Sequence, residues 1–339
     1  MRSSTSSSSS TRYWAWVCLF CALVAVSLCA SVETYWRSHG YEPGVIDSKL
    51  LWAEQRDRVY ERGSRRPFVL LGASRIQFGI DIRTLKDALP RYRPVMLAIN
   101  GHYPLAALHD LAEDENFNGV VLCDIDARGL SAAYRDMQQP YVDYYHQRWT
   151  PSWRAHRRGL TFWQNAAVIA NPDFGLLRTL IRWWGDDAGP WKSHVQFYAN
   201  RSGDADFSKV DTAQSTKGFA DEFKRLLTDT PPPPPEQWLA SLADVRGWVE
   251  QIQARGGEVI FYDTPTSGKL REYANSGYPK SLYWDRFAAM IGAPTLSYTD
   301  IPALEDAPLA DGSHLDFHDK PDYTRALVDA LVDRGWLQR

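Results

Sequence analysis

Hydrophobic and polar residues are distributed very unevenly along this chain, and the longest apolar run comes first. Residues 13–32 carry no charge, about the length a helix needs to cross a bilayer. Tyr13, Trp14 and Trp16 at its start are amphipathic rings of the kind that settle at a membrane interface. A Ser/Thr-rich tail, residues 1–12 with Arg2 and Arg12, precedes it. The pattern predicts a single-pass signal anchor over 13–32, with the tail in the cytoplasm and residues 33–339 on the other side of the inner membrane. A cleaved signal peptide is the competing reading. Against it stand the length of the run and Leu28-Cys29-Ala30, a poor small-x-small cleavage site.

Beyond the anchor, residues 47–61 (DSKLLWAEQRDRVYE) show helical periodicity with mixed charge, so 33–66 is expected to form a helical stalk. Three short, continuous apolar runs follow: 67–72 (PFVLLG), 93–99 (RPVMLAI) and 119–125 (GVVLCDI). Such runs suit strands buried on both faces. Helix-like segments at 81–89 and 104–113 separate them, an alternation that predicts an α/β fold with a parallel, doubly wound sheet. From about 129 to 230 the strand pattern stops, and Trp, Tyr and Arg dominate. This stretch is expected to be a helical insertion in a domain that otherwise runs from 67 to 339. Pro231–Pro235 reads as a stiff polyproline connector. An amphipathic helix at 236–255, strands at 258–262 and 295–298 and a closing helix at 318–334 complete the prediction.

The composition adds exclusions. A net charge of −3 and the lack of a basic stripe argue against nucleic acid as a partner. Cys18, Cys21 and Cys29 lie in the apolar run, leaving Cys123 alone in the remainder, so no disulfide framework holds the domain. No Cys/His cluster has metal-ligand spacing, and neither G-x-x-x-x-G-K-[ST] nor G-x-G-x-x-G occurs, so no nucleotide cofactor or metal is expected.

The candidate chemistry gathers where the strands end. The first strand runs into Gly72-Ala73-Ser74-Arg75, and in a doubly wound sheet ligands bind beyond the strands' C-terminal ends. Ser74 is placed there either as a nucleophile or as a helix cap. The second strand ends in Asn100-Gly101-His102, where Gly101 is either a plain turn residue or lets a backbone N–H approach a ligand. Just before the last helix stands Asp311-Gly312-Ser313-His314. Asp311 is close enough in sequence to hold one ring nitrogen of His314 while the other takes a serine proton.

Together these blocks, in this order and on these elements, resemble the SGNH/GDSL hydrolase superfamily. More narrowly they are similar to its membrane-anchored branch with a GSSR-like first block, which serves polysaccharide O-acetylation. The resemblance implies a flavodoxin-like three-layer fold and ester hydrolysis or acyl transfer through an acyl-serine, with no cofactor. By motif, Ser74 is the nucleophile, His314 the general base and Asp311 its orienting partner, while the N–H groups of Ser74 and Gly101 form the oxyanion hole. Implied partners are an acylated envelope glycan as substrate, the membrane, and an integral-membrane acyltransferase.

The chain departs from the family pattern at three places. Ala73 stands where an Asp is usual, and Arg75 replaces an apolar residue. The third block reads Cys123-Asp124-Ile125-Asp126, without the Asn that donates to the oxyanion. Losing one such donor costs roughly 2.7–4 kcal/mol. The rival function is therefore a catalytically reduced domain that binds a glycan or scaffolds an envelope machine. Arg75 is expected to pair with Asp124 or Asp126, the alternative being a protonated Asp that donates directly to the oxyanion. Thr264, after the fourth strand, is expected to rim the cleft or lie in an ordinary loop. Tyr283-Trp284-Asp285 and Trp183-Trp184 could stack on sugar rings or pack in the core.

Overall fold

The computed structural model describes residues 8–60, 63–185, 190 and 193–339. Residues 1–7 of the expected tail, and Glu61 at the end of the helix expected over 47–61, lie outside them. The chain divides into two compact units, Met1–Ile46 with Arg158–Ser193, and Asp47–Arg157 with His194–Arg339.

The first unit is built on α1 (Ser8–Ser38), which contains a 28-residue stretch, Thr11–Ser38, long and apolar enough to cross a membrane. Its C-terminal end is hydrogen-bonded. Glu33 accepts the N–H groups of Val168 and Ile169, at 3.0 Å each, and Trp36 Nε1 donates to Thr179 Oγ1 at 2.8 Å.

The second unit opens with α2 (Lys49–Asp57), β1 (Arg66–Leu71), α3 (Ser74–Gly79), α4 (Ile82–Ala88), β2 (Tyr92–Met96), α5 (Leu105–Glu113) and β3 (Val120–Asp124). Next come α6 (Gln139–Arg148), α7 (Pro151–Ala166), which runs into the first unit, and α8 (Leu176–Trp184), which belongs to it. The second unit resumes with β4 (Val195–Phe197), β5 (Gly203–Ala205), α9 (Thr212–Asp229), α10 (Pro235–Ala240), α11 (Ala243–Ala254) and β6 (Glu258–Asp263). It ends with α12 (Gly268–Gly277), α13 (Trp284–Met290), β7 (Thr295–Ser297), α14 (Pro302–Glu305) and α15 (Lys320–Asp333).

Five strands form one parallel sheet in the order β2-β1-β3-β6-β7, as the alternation of apolar runs and helices predicts. Alternate residues of each central strand feed opposite faces. Val69, Leu71, Val121, Cys123, Val259 and Phe261 share one core with α5 and α11. Phe68, Leu70, Val120, Leu122, Ile260 and Tyr262 share another with α4 and α15. Burial on both faces is why these strands read as continuous apolar runs.

The structure corrects several expectations. The segment expected as a stalk divides, because from Asp47 onward it belongs to the α/β unit. There Trp52 is fully buried and donates Nε1–H to Leu97 O at 3.0 Å. The stretch expected to be a helical insertion also contains a small antiparallel ribbon, β4 with β5, whose strands are too short to produce a visible alternation. Pro235 is not connector but the first residue of α10, where a missing N–H costs nothing and φ is already helical. The helix expected over 236–255 breaks at Ser241-Leu242 into α10 and α11.

Candidate active site

Because all five strands are parallel, their C-terminal ends lie along one edge, and the loops leaving β1, β2, β3 and β6 converge there. The turn after β1 demands glycine: a Cβ on Gly72, which has φ +150, would sit 2.9 Å from Asp124 Cβ and 3.0 Å from Asp124 Oδ2. Two residues on, Ser74 opens α3, so its own N–H is one of the first-turn donors without an intrahelical acceptor.

The Asp311–His314 loop brings the other two groups. Gly312 has φ +82, a left-handed turn that glycine adopts without strain. The turn folds the chain back so that Asp311 Oδ1 accepts the N–H of Ser313 at 2.9 Å and of His314 at 2.7 Å. His314 Nδ1 lies 2.9 Å from Asp311 Oδ2, and its Nε2 lies 2.7 Å from Ser74 Oγ. Burial pushes the Asp311 carboxyl up, but His314 and the two backbone donors outweigh it and hold the group below its usual range. A buried, ionised carboxylate thus fixes the ring, which packs between Phe219 and Phe78 at centroid distances of 5.3 and 6.4 Å. Ser74 and His314, 240 residues apart in sequence, form with Asp311 a continuous hydrogen-bonded chain.

Asn100 and Gly101 lie exposed in the turn after β2, with Gly101 at φ +73. Asn100 N–H donates to Gln77 Oε1 at 2.8 Å, which ties this turn to α3. Gln138, which no sequence motif singles out, is fully buried. Its Nε2 donates to Gly72 O at 3.1 Å and to His102 O at 3.0 Å. One amide therefore clamps the turn carrying Ser74 to the turn carrying Gly101. Its Oε1 is buried without a partner among the described residues. Both donor positions of Nε2 being occupied, Gln138 cannot also supply an oxyanion donor.

The expected fork between Arg75 and Asp124 or Asp126 does not form. Arg75 Nη1 is 3.9 Å from Asp126 Oδ2, beyond hydrogen-bond length. Instead Arg75 Nε donates to Ser313 Oγ at 3.0 Å and Nη1 to Thr264 Oγ1 at 3.4 Å. Thr264 in turn donates to Asp124 Oδ1 at 2.7 Å. Thr264 is buried and relays the charge of Arg75 to Asp124. Arg75 also braces the His314 loop through Ser313. Asp124 accepts the Ala73 N–H, so the third-block position supports the nucleophile turn with an acceptor rather than supplying a donor. Burial is the main cause that pushes its carboxyl up, to about 6, against Arg75 and Thr264. Asp126 accepts from Gly129 N–H at 2.7 Å and Tyr103 OH at 3.1 Å. Asp263, a third carboxyl in this cluster, ends β6. Burial first, then Asp126, raises it to about 8, against the opposing pull of Arg75. A cavity of about 520 Å³ opens beside the cluster, lined in part by Arg75, Asp126, Arg128, Asp263, Arg271 and Tyr298.

Of the aromatic candidates, Tyr283 and Trp284 are buried in the core, and Trp284 also contributes to the cavity lining. Trp183 and Trp184 are exposed, at 80% and 92%, and are not core residues. Among the described residues no group of His, Cys, Asp and Glu has the arrangement to hold a metal ion.

No protein-family model matches the chain, and no curated protein matches it. A solved structure titled "Crystal Structure of TesA" is similar over 78% of this chain and 98% of its own, at 12% identity and a TM-score of 0.34. That likeness is too loose to bear on the chemistry.

Proposed function

We propose that this chain is a membrane-anchored serine esterase or O-acyltransferase of the SGNH type, acting on acylated cell-envelope glycans from the periplasmic side of the inner membrane. The observation that carries the reading is the 2.7 Å approach of His314 Nε2 to Ser74 Oγ, with Asp311 holding the opposite nitrogen. In this reading Ser74 Oγ attacks an ester carbonyl as its proton passes to His314 Nε2. The negative charge that develops on the carbonyl oxygen is met by the N–H groups of Ser74 and Gly101. His314 then protonates the departing alcohol, leaving an acyl-Ser74. Water, or an acceptor hydroxyl deprotonated by His314, attacks this ester and releases Ser74. The glycan and the periplasmic side rest on the sequence resemblance, and the membrane anchor is supported by the N-terminal apolar helix.

The test is covalent. Full-length protein in detergent is treated with a fluorophosphonate and its peptides are mapped. Label on Ser74, abolished in Ser74→Ala, is the expected result; equal labelling of both proteins refutes the assignment. A second reading, a non-catalytic glycan binder, draws on the side chain that replaces the third oxyanion donor, since Asp124 is engaged as an acceptor by Thr264. Absence of label from folded wild-type protein would favour it.

A further inference from the structure

The first unit carries an apolar surface that is exposed among the described residues. In α8, Leu177, Leu180, Ile181 and Trp184 recur at the i, i+3, i+4, i+7 spacing of one helical face. Leu177 is 72% exposed, Ile181 60% and Trp184 92%. The arc on one side of this face carries Arg178 and Arg182, and the arc on the other carries Thr179 and Trp183. The helix has no acidic residue.

This face stands at a defined place relative to α1, which lies in the same compact unit. Tyr13 and Trp14 mark one end of the apolar stretch, Tyr35 and Trp36 the other. The rise between Tyr13 and Trp36 is about 35 Å at 1.5 Å per residue, against a hydrocarbon core of about 30 Å. The distance between these two ends therefore matches the thickness of one bilayer. Trp36 donates to Thr179, inside α8, at 2.8 Å, and packs edge-on to Phe174 at 5.3 Å just before it. Phe162 and Trp163, in the part of α7 that belongs to this unit, are also exposed, at 67% and 61%.

We infer that α8 lies in the membrane interface beside the outer end of α1, with Leu177, Leu180, Ile181 and Trp184 in the acyl region and the exposed Arg178 at the phosphates. A helix hydrogen-bonded to Trp36 is held at headgroup depth, where apolar side chains and Trp rings are favoured and basic residues meet anionic lipid. The contact makes the anchor two-part: a spanning helix plus an interfacial one. The inference rests on α1 spanning the bilayer, and the experiment separates the two.

Full-length protein is reconstituted in nanodiscs of phosphatidylcholine and phosphatidylglycerol in which one acyl chain carries a diazirine. After irradiation, lipid adducts are mapped by peptide mass spectrometry. Adducts are expected on residues 177–184 as well as on α1. The double variant Leu177→Lys, Ile181→Lys, which changes two exposed positions, should lower the α8 adducts at least fivefold and leave those on α1 unchanged. Adducts on α1 with none on α8 overturn the inference and leave the spanning helix standing. Adducts on neither overturn both. Crosslinks from α8 to a second copy of the chain, in place of lipid, overturn it by assigning the face to a dimer.

Discussion

Replacing Gln138 with Leu separates what holds the site in shape from what holds the protein folded. The wild-type amide makes two buried bonds, to Gly72 O and His102 O, each worth about 1 kcal/mol net. The same amide carries a buried Oε1 with no partner among the described residues, which costs about 1–3 kcal/mol. Leu is close in volume, deletes both bonds and deletes the orphaned oxygen. The two effects nearly cancel, and stability should change by no more than about 1 kcal/mol. The geometry has no such compensation. Gly72 and His102 lie within two residues of the proposed oxyanion donors, Ser74 N–H and Gly101 N–H, and the clamp is what joins their turns. Full loss of one oxyanion donor costs about a hundredfold or more in kcat, so loosening the pair should lower kcat by about tenfold or more, with KM little changed. The assay is turnover of an activated acyl ester by detergent-solubilised protein, run beside thermal unfolding. Unchanged kcat would refute the clamp's role. So would a loss of several kcal/mol in stability with full activity per folded molecule, which would make Gln138 structural only.

Other consequences follow from the same geometry. His314→Ala and Asp311→Ala should each depress ester turnover, and the double variant should be little worse than His314→Ala, because the residues form one hydrogen-bonded unit; fully additive losses would show that they act separately. Asp263, raised to about 8 chiefly by burial, favours the protonated form in the folded state. Stability from this group is therefore full below the unfolded value near 3.8 and is lost as pH climbs from there towards 8, roughly 4 kcal/mol at pH 7. Asp263→Asn should melt increasingly above wild type as pH rises from 4 to 8, and a gap that stays constant with pH would contradict this.

The parallel α/β sheet was legible in the sequence because strands buried on both faces must be apolar without interruption, and residues 68–71, 95–99 and 120–123 are. Ser74, Asp311 and His314 were legible as candidates because each occupies a short motif beside an element boundary. The Asp311–His314 pair was legible from its spacing within one loop; its contact with Ser74 was not, since only the parallel sheet brings the end of β1 to the loop before α15. Arg75 shows the limit of pairing charges by sequence proximity. The Thr264 hydroxyl and the Ser313 loop reach its guanidinium first, and Asp126 is left at 3.9 Å. Gln138 has no sequence signature at all, because a clamp needs only one buried amide at the right place, and any loop can deliver it. Likewise the length and apolarity of α1 could be read directly from residues 13–32, since both are local properties of a helix. Which other helix is bonded to Trp36, and which apolar faces are left uncovered, depended on packing between residues more than a hundred positions apart, which only the tertiary structure decides.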